Sequence, residues 1–181
     1  MSVLAISGSV RRGSYNSALL RAAAEWSPDV EFVFWGGLAE IPPYDEDLES
    51  LPAPAPVAVL RHEIDSSDAV LIATPEYNGS VPGALKNALD WVSRPFATNV
   101  LRNKRVAVVG ASTGLFGAVR AQAELRKVLS VIGADVLEAG LAVFSAHEAF
   151  DADGQLRDAE LRRALCAIVH DLAGRSMERA A

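Results

Sequence analysis

Short runs of apolar residues alternate along the chain with longer segments in which apolar residues recur every three or four positions. The short runs predict buried β-strands, and the longer segments predict helices with one apolar face. This alternation is typical of a parallel sheet that is covered by helices on both faces. Five strands are predicted, at residues 3–7, 31–35, 69–73, 105–109 and 135–142.

The predicted helices lie between these strands and after the last one. They cover residues 16–26, 57–66, 84–91, 117–132 and 158–172. Residues 36–56 combine prolines with acidic side chains, which predicts an irregular surface segment that is too short to separate two domains. Because 181 residues are too few for two ordinary domains, we expect residues 1–181 to form one α/β domain with one site.

Charge and composition narrow the classes of function. The formal net charge is −6 and the pI is about 5.1, so no sequence-independent binding to nucleic acid or to an anionic membrane is expected. No apolar run approaches the roughly 20 residues that span a bilayer, and residues 2–6 lack the basic start of a secretory signal. The single cysteine, Cys166, cannot form an internal disulfide. These features predict a soluble protein of the reducing cytoplasm.

The order of strands and helices also predicts where a ligand binds. An open parallel sheet binds its ligand outside the carboxyl ends of its strands, where the winding direction reverses. That rule selects the loops after the first, third and fourth strands, at residues 8–16, 74–83 and 110–117. Glycine, hydroxyl and amide residues are concentrated in these loops. We therefore expect the three loops to meet in one binding site.

The first loop has the features of an anion site. It leaves a strand and enters a helix, so its backbone amides and the helix dipole favour a negative charge. Arg11 adds a permanent charge suited to phosphate oxygens, and neighbouring side chains add further donors, which would fit a terminal phosphomonoester. The alternative is a polar turn that caps the helix with Ser14 or Asn16. The candidate phosphate ligands are Ser9, Arg11, Ser14, Asn16 and Ser17.

Several other kinds of site are disfavoured. The first loop has neither Gly-x-Gly-x-x-Gly nor a phosphate loop ending in Gly-Lys-Ser or Gly-Lys-Thr, which argues against a Rossmann dinucleotide site and a nucleoside triphosphatase. No metal site is expected, because His62, His147 and His170 do not form a ligand-spaced set.

The second loop is suited to the edge of a flat ring. Pro75 and Pro82 brace it, and Asn78-Gly79 is a turn signal at which the backbone can approach a ring closely. A planar heteroaromatic ring needs a rigid edge of N–H and C=O groups with an aromatic side chain nearby, and Tyr77 supplies that side chain. The alternative is a rigid turn in which Tyr77 only packs. The third loop is rich in small and hydroxyl residues and offers room for a second edge of the ring.

Two segments carry a resemblance to a known family. Residues 8–16, with the sequence GSVRRGSYN, and residues 75–91, with the sequence PEYNGSVPGALKNALDW, resemble the NADPH-dependent FMN reductase family. This is the flavodoxin-like group that includes bacterial quinone, chromate and azo-dye reductases. The match covers most of the chain. It implies a flavodoxin-like three-layer α/β sandwich with a five-stranded parallel sheet in the order 2-1-3-4-5.

The resemblance also implies FMN and NADPH as cofactors. The FMN phosphate would lie in the first loop, the ribityl chain and isoalloxazine ring along the second, and the pyrimidine side of the ring against the third. Homodimers with the flavin near the interface, and sometimes homotetramers, are implied as well; Ala123 stands where several relatives have an aromatic residue, which weakens the case for a tetramer contact there. The predicted cofactor-binding residues are Ser9, Arg11, Ser14, Tyr15, Asn16, Ser17, Pro75, Glu76, Tyr77, Asn78, Gly79, Ser112, Thr113 and Gly114.

The expected activity is transfer of electrons from NAD(P)H through bound FMN to a small acceptor such as a quinone, free flavin, azo compound or metal oxyanion. Because the flavin carries the chemistry, no catalytic acid or base is assigned, and Glu76 is expected to be a positioning residue. Two alternatives stay open: a flavodoxin-like electron carrier without a nicotinamide site, and a non-enzymatic flavin-binding sensor. The Arg11-Arg12 pair favours the enzyme, since it suits a site that handles the additional phosphate of NADPH.

Overall fold

The computed structural model describes the backbone of residues 1–179 and the side chains of residues 1–174. Its strands are β1 Ser2–Ser7, β2 Glu31–Trp35, β3 Ala69–Ala73, β4 Arg105–Ala111, β5 Asp135–Val136 and β6 Ala142–Val143. Its helices are α1 Tyr15–Glu25, α2 Ala55–Ser66, α3 Gly83–Val92, α4 Val119–Ile132, α5 Ala146–Ala149 and α6 Ala159–Arg179. Short 3-10 helices lie at Gly37–Glu40, Glu46–Leu48 and Phe96–Thr98.

The strands form a parallel sheet in the order β2-β1-β3-β4-β5, and β6 pairs with the end of β4. The predicted strand order is therefore confirmed, with one additional strand. Every residue of β3 and β4 is buried. This burial explains why β3 and residues 106–111 of β4 are continuous runs without a polar side chain, because a central parallel strand is covered on both faces.

Side chains of each strand alternate between two cores, one on each face of the sheet. On β1, Val3 and Ala5 belong to the core beneath α1 and α6, whereas Leu4 and Ile6 belong to the core beneath α2, α3 and α4. This alternation follows from the pleat of a strand, which points successive side chains to opposite faces. The result is the predicted three-layer sandwich of helices, sheet and helices.

The last predicted strand, at residues 135–142, differs from the structure, because it is interrupted between β5 and β6. A guanidinium nitrogen of Arg126 on α4 donates to the carbonyl oxygen of Val108 at 3.1 Å in this gap. Gly140 leaves room for that side chain, since a Cβ at this position would lie 1.7 Å from the same nitrogen. An arginine side chain from a helix thus replaces part of the strand pairing along β4.

The irregular segment predicted at residues 36–56 is fixed against α3. The carbonyl oxygen of Pro42 accepts hydrogen bonds from Asn87 Nδ2 at 2.9 Å and Trp91 Nε1 at 2.8 Å. The amide of Tyr44 donates to Asn87 Oδ1 at 2.8 Å. Three hydrogen bonds therefore hold a segment that has little regular structure of its own. Within residues 1–179, no helix combines the length and apolar character needed to cross a membrane.

Candidate functional site

The three predicted loops meet at one edge of the sheet. β1, β3 and β4 end side by side, with Ser7 opposite Ala73 and Ala73 opposite Val109. The loops that follow them enclose a cleft of about 300 Å³, within the roughly 300–1,000 Å³ typical of small-ligand sites. The cleft is lined by Ser9, Arg11, Ser14, Tyr15, Asn16, Pro75, Glu76, Tyr77, Ala111, Ser112 and Thr113.

Most of the predicted site residues therefore line one cleft. Ser17, Asn78, Gly79 and Gly114 do not line it, although each lies in or beside one of the three loops. Ala111 lines the cleft and was missed by sequence reasoning, because it is the last residue of a buried strand and has no polar side chain to mark it. No group of three or more His, Cys, Asp or Glu residues suited to a metal ion is found in the described part of the chain.

Serine side chains shape the start of α1. Ser14 is the N-cap residue, and its hydroxyl oxygen accepts a hydrogen bond from the amide of Ser17 at 3.3 Å. The Ser17 hydroxyl donates to Ser7 Oγ at 3.0 Å, which joins the helix to the end of β1. The first amides of a helix have no partner within the helix, so those of Tyr15 and Asn16 remain available at this end. The N-cap that the alternative interpretation of the first loop predicts is therefore present at Ser14, and it leaves the helix start able to bind an anion.

Arg11 brings a positive charge to the mouth of the cleft. Its guanidinium carbon lies 5.6 Å from the centre of the Tyr15 ring, and that ring stacks on Phe150 at 5.7 Å between centroids. In the described residues, Arg11 forms no ion pair with a carboxylate. A stacked but unpaired guanidinium is held in place while its donors stay free for an anionic ligand.

Asn16 connects the first and third loops. It is only 3% exposed, its Nδ2 donates to the carbonyl oxygen of Ala111 at 2.9 Å, and its Oδ1 accepts from the amide of Ala111 at 2.9 Å. The carboxamide is therefore engaged with the last residue of β4 on both sides. This contact fixes the distance between the two loops that the cleft separates.

The second loop contains a tight hairpin turn. Asn78 and Gly79 have φ values of 53° and 77°, and the amides and carbonyls of Tyr77 and Ser80 pair with each other at 3.1 Å. Positive φ at both central residues is the geometry of a type I′ turn, for which Asn-Gly is the preferred sequence. The turn predicted from these two residues is confirmed.

Glu76 binds the start of α4. Its Oε2 accepts hydrogen bonds from the amides of Arg120 at 3.0 Å and Ala121 at 3.2 Å. Ala118 precedes this helix and has no side chain that can cap it, so a carboxylate from another loop supplies the acceptor. Glu76 thereby holds the second loop against α4.

Glu124 makes the reverse contact from α4 to the second loop. Its Oε2 accepts from the Ser80 hydroxyl at 2.7 Å and from the Val81 amide at 3.2 Å. The hydrogen bond from Ser80 and, next, the one from Val81 stabilise the carboxylate and lower the pKa of Glu124 below its ordinary value. Sequence reasoning missed Glu124, because nothing in its local sequence marks a contact with a loop 44 residues away.

The third loop is ordered by backbone hydrogen bonds to β6 and to the segment after it. Ser112 donates its amide to Val143 at 2.9 Å, and its carbonyl accepts from Ala146 at 3.0 Å. The Ser112 hydroxyl accepts from the Gly114 amide at 3.1 Å. Beyond these contacts the loop exposes two large apolar side chains, Leu115 at 79% and Phe116 at 60%.

The fold and cleft define a protein of the flavodoxin-like class. Proteins of this class bind a mononucleotide at the carboxyl ends of the strands, beside the point where the winding reverses. The sequence model of the NADPH-dependent FMN reductase family matches residues 1–149. The chain belongs to this family of oxidoreductases, which use FMN and NAD(P)H. The resemblance noted in the first and second loops is thereby confirmed.

Individual relatives agree with this assignment. The chain is 44% identical to an NAD(P)H-dependent FMN reductase of Pseudomonas aeruginosa over 161 residues, which cover 88% of this chain and 86% of the relative. It is 40% identical to a 2-hydroxy-1,4-benzoquinone reductase of a Burkholderia species over 135 residues, or 73% and 72% of the two chains. The solved structure of FerB, a flavoenzyme NAD(P)H:(acceptor) oxidoreductase from Paracoccus denitrificans, superposes with a TM-score of 0.87 at 35% identity and covers 98% of this chain and 97% of its own.

Proposed function

We propose that the three-loop cleft binds FMN and that the bound flavin passes electrons from NAD(P)H to a quinone-type acceptor. The observation that carries the proposal is the convergence of an unpaired arginine, a helix start and a rigid hairpin in one cleft. The acceptor class is supported by the relatives named as benzoquinone and quinone reductases.

The FMN phosphate is assigned to the first loop. Arg11 supplies a guanidinium without an ion pair, and the start of α1 supplies amides and the positive end of the helix dipole. The hydroxyl groups of Ser9 and Ser14 complete the set, although that of Ser14 also accepts from the Ser17 amide. Ser17 lies outside the cleft, and its hydroxyl donates to Ser7, so it is assigned a positioning role. Asn16 is assigned a positioning role, since its carboxamide is bound to Ala111.

The isoalloxazine ring is assigned to the other end of the cleft. Pro75, Glu76 and Tyr77 line one side of this end, and Ser112 and Thr113 line the other. The positive-φ turn at Asn78-Gly79 stiffens the first side, and Gly114 belongs to the second. Held between these two sides, FMN would supply a ring that can take hydride from a nicotinamide and give electrons to the acceptor.

The protein residues bind and orient the reactants and are not assigned as acids or bases. Glu76, the carboxylate of the cleft, is held by the amides of Arg120 and Ala121. A carboxylate that accepts these hydrogen bonds stabilises α4 and fixes the second loop, so it serves as a positioning residue. The Tyr77 ring is half exposed beside the cleft and offers an apolar surface to a planar ligand.

We also propose that the protein is a cytoplasmic homodimer in which residues 1–181 form one domain. Leu115, Phe116 and Phe144 expose large apolar side chains near the third loop, and a partner subunit would remove them from water.

Sedimentation of the purified protein tests the dimer. Phe144→Ser is expected to shift the equilibrium between dimer and monomer towards the monomer, whereas Val59→Ser, on the exposed face of α2, is not. A wild-type protein that sediments as a monomer contradicts the proposal.

The function is tested by NADPH oxidation with added quinone under aerobic and anaerobic conditions. A reductase loaded with FMN is expected to oxidise NADPH and to reduce the quinone even when oxygen is absent from the assay. An electron carrier binds FMN but oxidises no NADPH by itself, and a sensor module supports no turnover. Either of these last results contradicts the proposal.

A further inference from the structure

Gln122 is a buried polar residue of α4 that does not line the three-loop cleft. The residue is 3% exposed, and its side chain makes two hydrogen bonds: Nε2 donates to the carbonyl oxygen of Gly117 at 3.1 Å, and Oε1 accepts from a guanidinium nitrogen of Arg126 at 3.3 Å. An arginine can only donate and a carbonyl oxygen can only accept. These two partners therefore fix which end of the carboxamide faces each of them.

Arg126 connects Gln122 to the sheet. The same guanidinium nitrogen donates to the carbonyl oxygen of Val108 on β4 at 3.1 Å. Gly110, two residues further along β4, leaves room for the carboxamide, because a Cβ at this position would lie 2.9 Å from Gln122 Nε2. Hydrogen bonds thus run from β4 through these two side chains to the end of the third loop.

The end of the third loop has an unfavourable backbone conformation. Gly117 and Ala118 have φ values of 54° and 62°, in the left-handed region that a residue such as alanine rarely adopts. Gln122 binds both residues, since its side chain donates to the oxygen of Gly117 and its amide donates to the oxygen of Ala118 at 3.0 Å. A strained conformation persists only where its surroundings hold it, and Gln122 supplies two of the hydrogen bonds that hold this one.

The third loop carries two of the residues that line the cleft, Ser112 and Thr113. The loop is bound on one side of this pair by Asn16 and on the other by Gln122. Within the described residues, the Gln122 side chain forms no hydrogen bond to the first loop, to which the FMN phosphate is assigned. Its influence on the cleft is therefore confined to the end assigned to the flavin ring.

We propose that Gln122 is a positioning residue for the flavin ring, because it holds the loop from which Ser112 and Thr113 border the ring. The inference rests on the proposed function, in which the first loop binds the phosphate and the third loop borders the ring. Reduction adds negative charge to the pyrimidine side of a flavin, so donors that are fixed there stabilise reduced FMN more than oxidised FMN. Loss of the Gln122 contact should therefore weaken binding of the ring, most of all the reduced ring, and leave binding of the phosphate unchanged.

Titration with oxidised FMN and with riboflavin, which lacks the phosphate, separates the two ends of the cleft. Gln122→Glu places a carboxylate oxygen opposite the Gly117 oxygen and keeps an acceptor for Arg126, so the contact with the third loop is lost. We expect both flavins to bind roughly ten-fold more weakly, so that the ratio of their dissociation constants stays at the wild-type value. Arg11→Ala is expected to change that ratio. Gln155→Glu, the same exchange outside the cleft, is expected to change neither affinity.

Gln122→Met is the second variant, since it removes both hydrogen bonds of the side chain without burying a charge. Urea unfolding without flavin shows whether each variant is folded. Unchanged affinities or a changed ratio in a folded variant, or failure of both variants to fold, overturns the proposal, because Gln122 would then not act on the ring alone. If the wild-type protein binds neither flavin, the proposed function fails; if it binds both and the Gln122 variants resemble Gln155→Glu, only this inference fails.

The reduction potential of bound FMN is a readout that a loss of protein stability alone would not move. The neutral variant Gln122→Met is used, because a new carboxylate would shift the potential by its own charge. We expect this variant to weaken binding of reduced FMN roughly ten-fold more than binding of oxidised FMN, which lowers the two-electron potential by about 30 mV. Gln155→Met should leave the potential unchanged. A potential of Gln122→Met that equals the wild-type value overturns the positioning role.

Discussion

At the scale of single residues, the polar side chains of the first loop have two different roles: some hold the loop in place, and one keeps its donors free for a ligand. Ser14 and Ser17 bind the helix start and the end of β1, and Asn16 binds the backbone of Ala111. Arg11 stacks on Tyr15 and keeps its donors free. The sequence predicted these residues as a cluster of donors. It could not show which of them bind other parts of the protein and which stay free for a ligand, because partners such as Ala111 lie 95 residues away along the chain.

Arg11→Ala tests the phosphate assignment. Loss of a charge-assisted hydrogen bond is expected to weaken FMN binding by about ten-fold to one hundred-fold. The melting temperature should change little, since Arg11 is an exposed loop residue. Flavin fluorescence titration and a thermal-shift assay measure the two effects, with Arg163→Ala as the control.

Ser14→Ala is the companion variant. It should weaken FMN binding and also cost about 1 kcal/mol of unfolding free energy, because the N-cap hydrogen bond to Ser17 is lost. Unchanged FMN affinity in both Arg11→Ala and Ser14→Ala would reject the assignment of the phosphate to this loop.

Asn16→Ala is expected to destabilise the protein more than either of those variants. The substitution leaves the buried amide and carbonyl of Ala111 without partners, which costs about 2–4 kcal/mol of unfolding free energy. Urea unfolding without FMN measures this loss, and Ser9→Ala in the same loop is the control. A loss no larger than that of the control would show that the Asn16 contact does not hold the two loops together.

The helices and strands were predictable where one signal dominated the local sequence. β3 and residues 106–111 of β4 are runs without a polar side chain, and the Asn78-Gly79 turn has a sequence that its positive φ values favour. The end of the sheet was less predictable. Residues 135–142 have the composition of one strand, but Arg126 from α4 takes the place of their middle part beside Val108. A contact between distant residues thus overrides the local pattern.

Gly140→Ala tests this account of the interrupted strand. A Cβ would displace the Arg126 guanidinium and lie 3.0 Å from the Val108 oxygen, so we expect a loss of about 1–3 kcal/mol of unfolding free energy. Gly83→Ala is the matched control: nothing lies within 4 Å of its Cβ, and it begins α3, so it should be neutral or slightly stabilising. Equal stability of the two variants would mean that Gly140 is not needed for the Arg126 contact.

The contact between Glu124 and the second loop predicts a dependence of stability on pH. The pKa of Glu124 is lowered in the folded protein. The contribution of this carboxylate to the free energy of unfolding is therefore complete above the ordinary glutamate pKa, and it is lost as the pH falls through the lowered pKa of the folded state. Glu124→Gln cannot titrate, so the wild-type advantage over this variant should be constant near neutral pH and shrink in acid. Urea unfolding across this range measures it, with Glu25→Gln on α1 as the control. A difference that stays constant into acid contradicts the prediction.

At the scale of the whole molecule, the site depends on strand order. β1, β3 and β4 are neighbours, so the loops that follow them start at the same edge although they are separated by about 60 and 30 residues in sequence. The parallel alternation of strands and helices was sufficient to predict this meeting point. The contacts of Glu76 and Glu124 with the neighbouring element were not predictable, because they depend on how α4 packs beside the second loop.

The account depends on a cationic first loop that binds the phosphate of a flavin mononucleotide. Titration of the flavin-free protein with FMN and with riboflavin, which has the same ring but no phosphate, tests this claim most directly. We predict one FMN per chain and binding of riboflavin at least about ten-fold weaker. Equal affinity for the two flavins, or no binding of either, would contradict the account.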